Sequence, residues 1–440
     1  MTMSVEAAVL SEVRSGLKPD VLSSSEKFRD VRLSVVPVIL DHIHPTTGLL
    51  PAATKGKSVA TGHYDHAWVR DTSLGYLHLL NSTRYGLDQE LDGEIKARCA
   101  DAIGRNLDLF AGNPWNSAFA QEVGYYAGTN HTYLTGDAPP IHMNTDGSSC
   151  SWWTQNQPDS WGDLLNATGT AVELGVLVPT DEQQETVKNI AEYLVKIRPE
   201  IFKASTMWEG DEVHSPASLS NTIAIKAGLR KILPLFRSDK AFTESVSRKL
   251  LHLDEFIGVQ FPVDYTVPKG HHSKTDLATL VAMGADDSSY LGYLSQYFIS
   301  AKPELGNGLA PGKRRYSGDN YYNRHEHDGE DLKGAEAVWP MGDILESILM
   351  LRHAHDLNMR GSKGIGGGYA ARGIAKLERV LADVDRYGYY PELLTPVEVV
   401  YSAEGTRTEF KPNGNDLLWN RALVAENVAL AQRVSLQLAA

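Results

Sequence analysis

The sequence predicts an all-α protein whose helices close on themselves as a barrel, and three observations point there. Apolar residues recur near a 3.6-residue period in about twelve windows. Strand-like runs are few and short, at 261–267 and 397–401. Many of the Trp, His and Asn residues gather in long polar, glycine-dotted segments between the helical windows, at 112–160, 303–332 and 387–415. Long connections in a compact domain are usually functional. A loose helix-pair period without a residue-level repeat favours a closed barrel over an open solenoid.

The first window, 23–43, opens on Ser-Ser-Ser-Glu, which reads as an N-cap before an amphipathic run. Further windows follow at 71–83, 91–111, 161–177, 181–199, 216–235, 240–257, 274–283, 288–301, 333–357, 365–386 and 416–436. No break in composition marks a second domain, so residues 1–440 are expected to form one catalytic domain with 1–20 as a peripheral segment.

Composition narrows the class. A net charge of −13 argues against nucleic acid or an anionic membrane as a partner. Two cysteines, Cys99 and Cys150, are a poor disulfide framework and fit a reducing compartment. Residues 1–20 lack the basic start and apolar core of a secretory signal, and no window reaches 18 apolar residues. The expectation is a cytoplasmic protein with no membrane partner.

Five stretches carry chemistry. In Trp208-Glu209 a carboxyl sits beside an indole; lost hydration raises its pKa and lets it act as a general acid near neutral pH. Trp68, Arg70 and Asp71 stand at a loop-to-helix junction, where Asp71 or Thr72 could cap the helix or could meet ligand hydroxyls. Trp152, Trp153 and Trp161 interleave with Gln155, Asn156, Gln157 and Asp159, and aromatic faces with amides and carboxylates suit sugar rings. The stretch 314–324 is dense in Arg, Asp, Asn and Tyr, with Trp339 and Pro340 after it. Glu392 and Glu398 are candidate second carboxylates near Trp419. Glycosidic hydrolysis needs two acids, one protonated at the leaving group and one ionised to activate water or attack.

Taken in chain order, these motifs resemble glycoside hydrolase family 15, the glucoamylase-type family, whose relatives include the glucoamylase-like domain of phosphorylase kinase regulatory subunits. Trp68-Val-Arg70-Asp71 is similar to the family's Trp-x-Arg-Asp, whose Arg and Asp hold the terminal glucose. The run from Trp153 through Gln157 and Asp159 resembles a segment lining the same subsite. Trp208-Glu209 resembles the general-acid motif, Arg315 falls in a segment that supplies a substrate-contacting Arg, and Trp419 opens the closing helix. The ordered set spans roughly 60–425. The resemblance implies an (α/α)6 barrel, an inverting hydrolase releasing terminal glucose from an α-glucoside or short oligosaccharide, and no cofactor or metal. Trehalase-like hydrolysis and non-catalytic glycan binding remain the other readings. Two departures stand out: Gly210 follows Glu209 where the family often has a second Glu, and the base is either Glu392 or Glu398. Inversion needs the two carboxyls about 6.5–9.5 Å apart.

Overall fold

The computed structural model describes residues 21–54, 66–111, 142–148, 157–197, 218–261, 277–286, 313, 337–402 and 405–439. Helices dominate them: α1 Val21–Asp41, α2 Val69–Ser82, α3 Gln89–Ala111, α4 Pro158–Glu173, α5 Asp181–Lys196, α6 Leu219–Ile232, α7 Lys240–Gln260, α8 Leu277–Ala285, α9 Met341–Met359, α10 Lys363–Tyr387 and α11 Leu418–Ala439. Two antiparallel strand pairs accompany them, β1 Ala67–Trp68 with β2 His142–Met143, and β3 Pro391–Ser402 with β4 Gly405–Asp416.

Local chemistry sets several boundaries. Thr180 and Gln183 form a reciprocal capping box at the start of α5. Ser218 and Asp239 accept from backbone amides in the first turns of α6 and α7. Pro158 follows Gln157 as the first residue of α4, where a missing N–H is harmless. Gly388 ends α10 in the left-handed region at φ 77°.

The helices sort into two layers by burial. Around α2, α4 and α8 nearly every residue is buried, whereas α7 and α10 bury one stripe each. A helix buried all round belongs inside, and one buried on a stripe belongs outside. Packing follows suit: α2, α4, α6, α8, α9 and α11 each touch the next, and α11 returns to α2, closing a ring. Outside it lie α1, α3, α5, α7 and α10, alternating with inner helices along the chain. This is the (α/α)6 toroid. The window 288–301, which would supply the remaining outer helix, lies outside the described residues.

Neighbouring inner helices run parallel. Gly162 of α4 faces Ala224 of α6, and seven residues on, Gly169 faces Lys231. A Cβ on Gly162 would lie 2.6 Å from the Ala224 carbonyl oxygen, so the pair packs backbone to backbone. The first turns of the inner helices therefore collect at one end. There Ala52 accepts from the Leu418 amide at 3.0 Å and donates to the His66 carbonyl at 2.8 Å, tying the starts of α11 and α2. Val338 and Leu394 exchange backbone bonds of 3.0 and 2.8 Å, tying β3 to the start of α9.

Three sequence expectations change. The segment 387–415 is no loop: most of it is the β3–β4 hairpin, of which the strand-like run 397–401 marked only a part, because the polar, Pro- and Gly-containing remainder does not alternate cleanly. The window at 333–357 starts late, since 337–340 form bridges and a turn before α9. Helix α1 already runs from Val21, through the Ser-Ser-Ser-Glu taken as its cap.

Candidate active site

The first turn of α2 begins directly after Trp68, whose backbone is extended and whose side chain makes no cap. Arg70 and Asp71 thus sit inside the helix, and Asp71 does not cap it. Arg70 is 5% exposed and reaches across to the start of α4, donating from one guanidinium nitrogen to Gln157 Oε1 at 2.9 Å and to Asp159 Oδ2 at 3.2 Å. Its Nε stands 3.7 Å from Asp71 Oδ1. Residues from two distant motifs meet here as one polar cluster, because parallel packing of α2 on α4 superimposes their first turns.

Asp163 joins them one turn further along α4, 4% exposed. Asp71 and Asp159 contact one guanidinium, and Asp163 lies within its field. Burial, opposed by Arg70 and reinforced by Asp159, raises the Asp71 carboxyl to about 6. Burial, with Asp159 adding to it, pushes Asp163 well above the usual carboxylate range, past what Arg70 restores. Asp163 was not singled out from sequence; the signal available was its i,i+4 spacing from Asp159 on the same helix.

The cluster leaves hydrogen-bonding capacity unused. Gln157 Nε2 and Asp159 Oδ1 are buried with no partner among the described residues. The same holds for Ser73 Oγ on α2, Ser160 Oγ on α4, Asn221 Oδ1 on α6 and Asn420 Oδ1 on α11. An orphaned buried polar atom costs about 1–3 kcal/mol. Here the orphans sit near the starts of four inner helices, and they include both donors and acceptors. A hydroxyl-bearing ligand answers both.

The aromatic residues divide. Trp68 is 9% exposed and pairs with His142 in the β1–β2 ladder. Trp419 is buried in the first turn of α11. Trp161 belongs to the core, edge-on to Phe110 at 5.2 Å, which removes it from the sugar-facing set. Asp416 closes the hairpin onto α11, accepting from Thr54 Oγ1, the Tyr390 amide and Arg421.

The candidate bases lie on β3. Glu392 falls at a register irregularity between Pro391, paired with Asp416, and Leu393, paired with Asn413. Glu398 pairs with Glu409, further toward the hairpin tip. Glu209, Trp208, Trp153 and Arg315 lie outside the described residues. Among the described residues no group of His, Cys, Asp or Glu could hold a metal ion.

No family model and no curated protein matches the sequence. Solved structures do. A variant of a glycosidase in complex with glucose aligns over 96% of this chain and 100% of its own, with TM-score 0.59 and 17% identity. Glucoamylase from Saccharomycopsis fibuligera aligns over 94% of this chain and 96% of its own, with TM-score 0.64 and 15% identity. A bacterial glucoamylase complexed with acarbose aligns over 92% of this chain and 55% of its own, with TM-score 0.55 and 15% identity. At such identities the likeness shows a shared fold.

Proposed function

We propose that the chain is a glycoside hydrolase of glucoamylase type, releasing terminal glucose from a short α-glucoside with inversion. The observation that carries this reading is the Arg70–Gln157–Asp159 cluster at the mouth of the inner ring, with a donor and an acceptor both unpartnered among the described residues. A pyranose presents hydroxyls that donate and accept at once. Asp71 and Arg70 bind the terminal glucose, Gln157 and Asp159 complete the subsite, and Trp68, Trp153, Trp208, Arg315 and Trp419 flank it. Glu209 is the general acid. The whole chain acts as one catalytic domain.

Between the two bases, backbone position favours Glu392. It adjoins Pro391, which pairs with the residue two before α11. Glu398 is six residues further along the strand, about 20 Å at the usual rise. The hairpin's tie to the start of α9 at Leu394 keeps the Glu392 end at the mouth.

The test is glucose release from maltose, isomaltose and trehalose by the wild-type chain and by Glu209→Gln and Glu392→Gln. Release by wild type and a loss of at least a hundredfold in kcat in each variant is expected, since general acid–base groups contribute about that much. A cellobiose 2-epimerase from Spirochaeta thermophila shares the fold at TM-score 0.50 and 12% identity, covering 96% of this chain and 98% of its own. The product analysis should therefore resolve epimerised disaccharide as well. Epimer without free glucose, or glucose release unchanged in Glu209→Gln, overturns the assignment.

A further inference from the structure

The opposite end of the barrel holds a polar cavity of about 290 Å³ that the candidate active site does not use. It opens where α2 ends and where the later turns of α9 and α11 pass it. Asp71 and Asn81 are ten residues apart on α2, about 15 Å along the axis at 1.5 Å per residue. The volume is at the lower end of small-molecule sites, which start at about 300 Å³.

Most charges around the cavity are already matched. Arg352 donates to Glu426 at 2.5 Å, and Glu426, fully buried, also takes His78 at 2.7 Å. Arg84 lays both terminal nitrogens on Glu173, at 3.1 and 3.0 Å. What remains unmatched is a balanced set of donors and acceptors. Asn81 is 3% exposed and its Nδ2 has no partner among the described residues, while its Oδ1 is taken by Arg84. Arg433 and Asp356 both line the cavity, half-buried, and no ion pair joins either to a described residue. His355 contacts Gln437 through Nδ1, leaving Nε2 toward other partners. The Tyr85 ring meets the His355 ring edge-on at 6.1 Å, giving the wall an apolar face.

We propose that this cavity is a second carbohydrate site, taking a neutral polyol of monosaccharide size. The unmatched charges, Arg433 and Asp356, cancel, so a compact anion gains from one and is repelled by the other. A ring bearing several hydroxyls satisfies the Asn81 amide, the Arg433 guanidinium and the Asp356 carboxylate together, with a C–H face against Tyr85. The inference stands on this cavity alone and does not depend on the reaction assigned to the other end.

Hydrogen exchange separates the two ends. The probe is D-glucose, with D-galactose and myo-inositol as alternative polyols and inorganic phosphate as the anion arm. At least one polyol should protect peptides covering 78–86, 352–357 and 426–434. That protection should survive Asp71→Asn, whose own effect on 68–73 reports the candidate active site. Arg433→Ala and Asp356→Asn should each weaken the far-end binding at least tenfold. Both positions are half-buried and have no ion pair among the described residues, so the fold should persist; thermal melts check this, and either variant suffices if the other fails. Protection unchanged in both variants, no protection by any polyol, or protection by phosphate in place of the polyols overturns the proposal.

Discussion

Replacing Asp71 by Asn should stabilise the protein at neutral pH. Its carboxyl lies at about 6, against 3.8 when unperturbed, with burial as the largest cause. Each pKa unit is worth about 1.4 kcal/mol. Above pH 6 the folded chain therefore carries an ionised group at a penalty of about 3 kcal/mol relative to its protonated form. The side chain is 15% exposed, and the residual solvent contact trims this to about 2 kcal/mol. The sign follows from proton counting: between pH 3.8 and 6 the folded state binds the proton and the unfolded state does not, so wild-type stability rises as pH falls through that window. Asparagine mimics the protonated form and feels no such penalty. Urea denaturation at pH 7.5 should show the variant ahead by about 2 kcal/mol, the gap narrowing to about 1 kcal/mol near pH 4.5 and vanishing near pH 3. A variant less stable than wild type at pH 7.5, or a gap independent of pH, would refute the reasoning. A carboxylate kept in the fold against its own stability is expected where a ligand, rather than folding, requires it.

Other perturbations test the frame. Glu426 joins α2, α9 and α11 through His78 and Arg352; burial opposes its ionisation, but Arg352 and His78 outweigh burial and hold the carboxyl at about 2. Glu426→Gln should cost about 3–5 kcal/mol by urea unfolding at pH 7. The stability from this group is fully present above pH 4.5 and is lost as pH falls toward 2, so the two proteins should converge in acid; a constant difference would contradict the ion-pair account. Gly162→Ala should push α4 from α6 and cost about 3 kcal/mol, and a change in urea midpoint worth less than about 1 kcal/mol would show that the helices yield freely. Cys99 is fully buried and burial drives its thiol well above the usual range; iodoacetamide followed by peptide mapping should label it in urea and leave it unmodified in the native protein.

Helix windows were legible because an inner or outer helix must bury apolar residues at a helical period, whatever its neighbours. Window 161–177 is α4 and window 365–386 is α10, each to within a few residues. The hairpin was legible only in part. The strand-like run 397–401 falls within β3, but the rest of strands 391–402 and 405–416 contains Pro391, Pro396, Pro412 and Gly414, and pairing across the hairpin is what makes it strand. Composition likewise placed Arg70, Gln157 and Asp159 among polar, sugar-suited residues without showing that they meet. Trp161 illustrates the converse: in the sequence it stands with Trp152 and Trp153, yet in the fold it is core against Phe110.

The sequence by itself determined the helical content, the order of the polar motifs and their family resemblance, since these depend on residue type and spacing along one chain. Tertiary structure alone decided that Asp71 and Asp159 share one guanidinium, that Asp163 lies within its field, and that a balanced polar cavity lies at the far end of α2. Those are properties of side chains brought together from separate helices, where burial and neighbouring charge act through space and leave no mark on any single stretch of sequence.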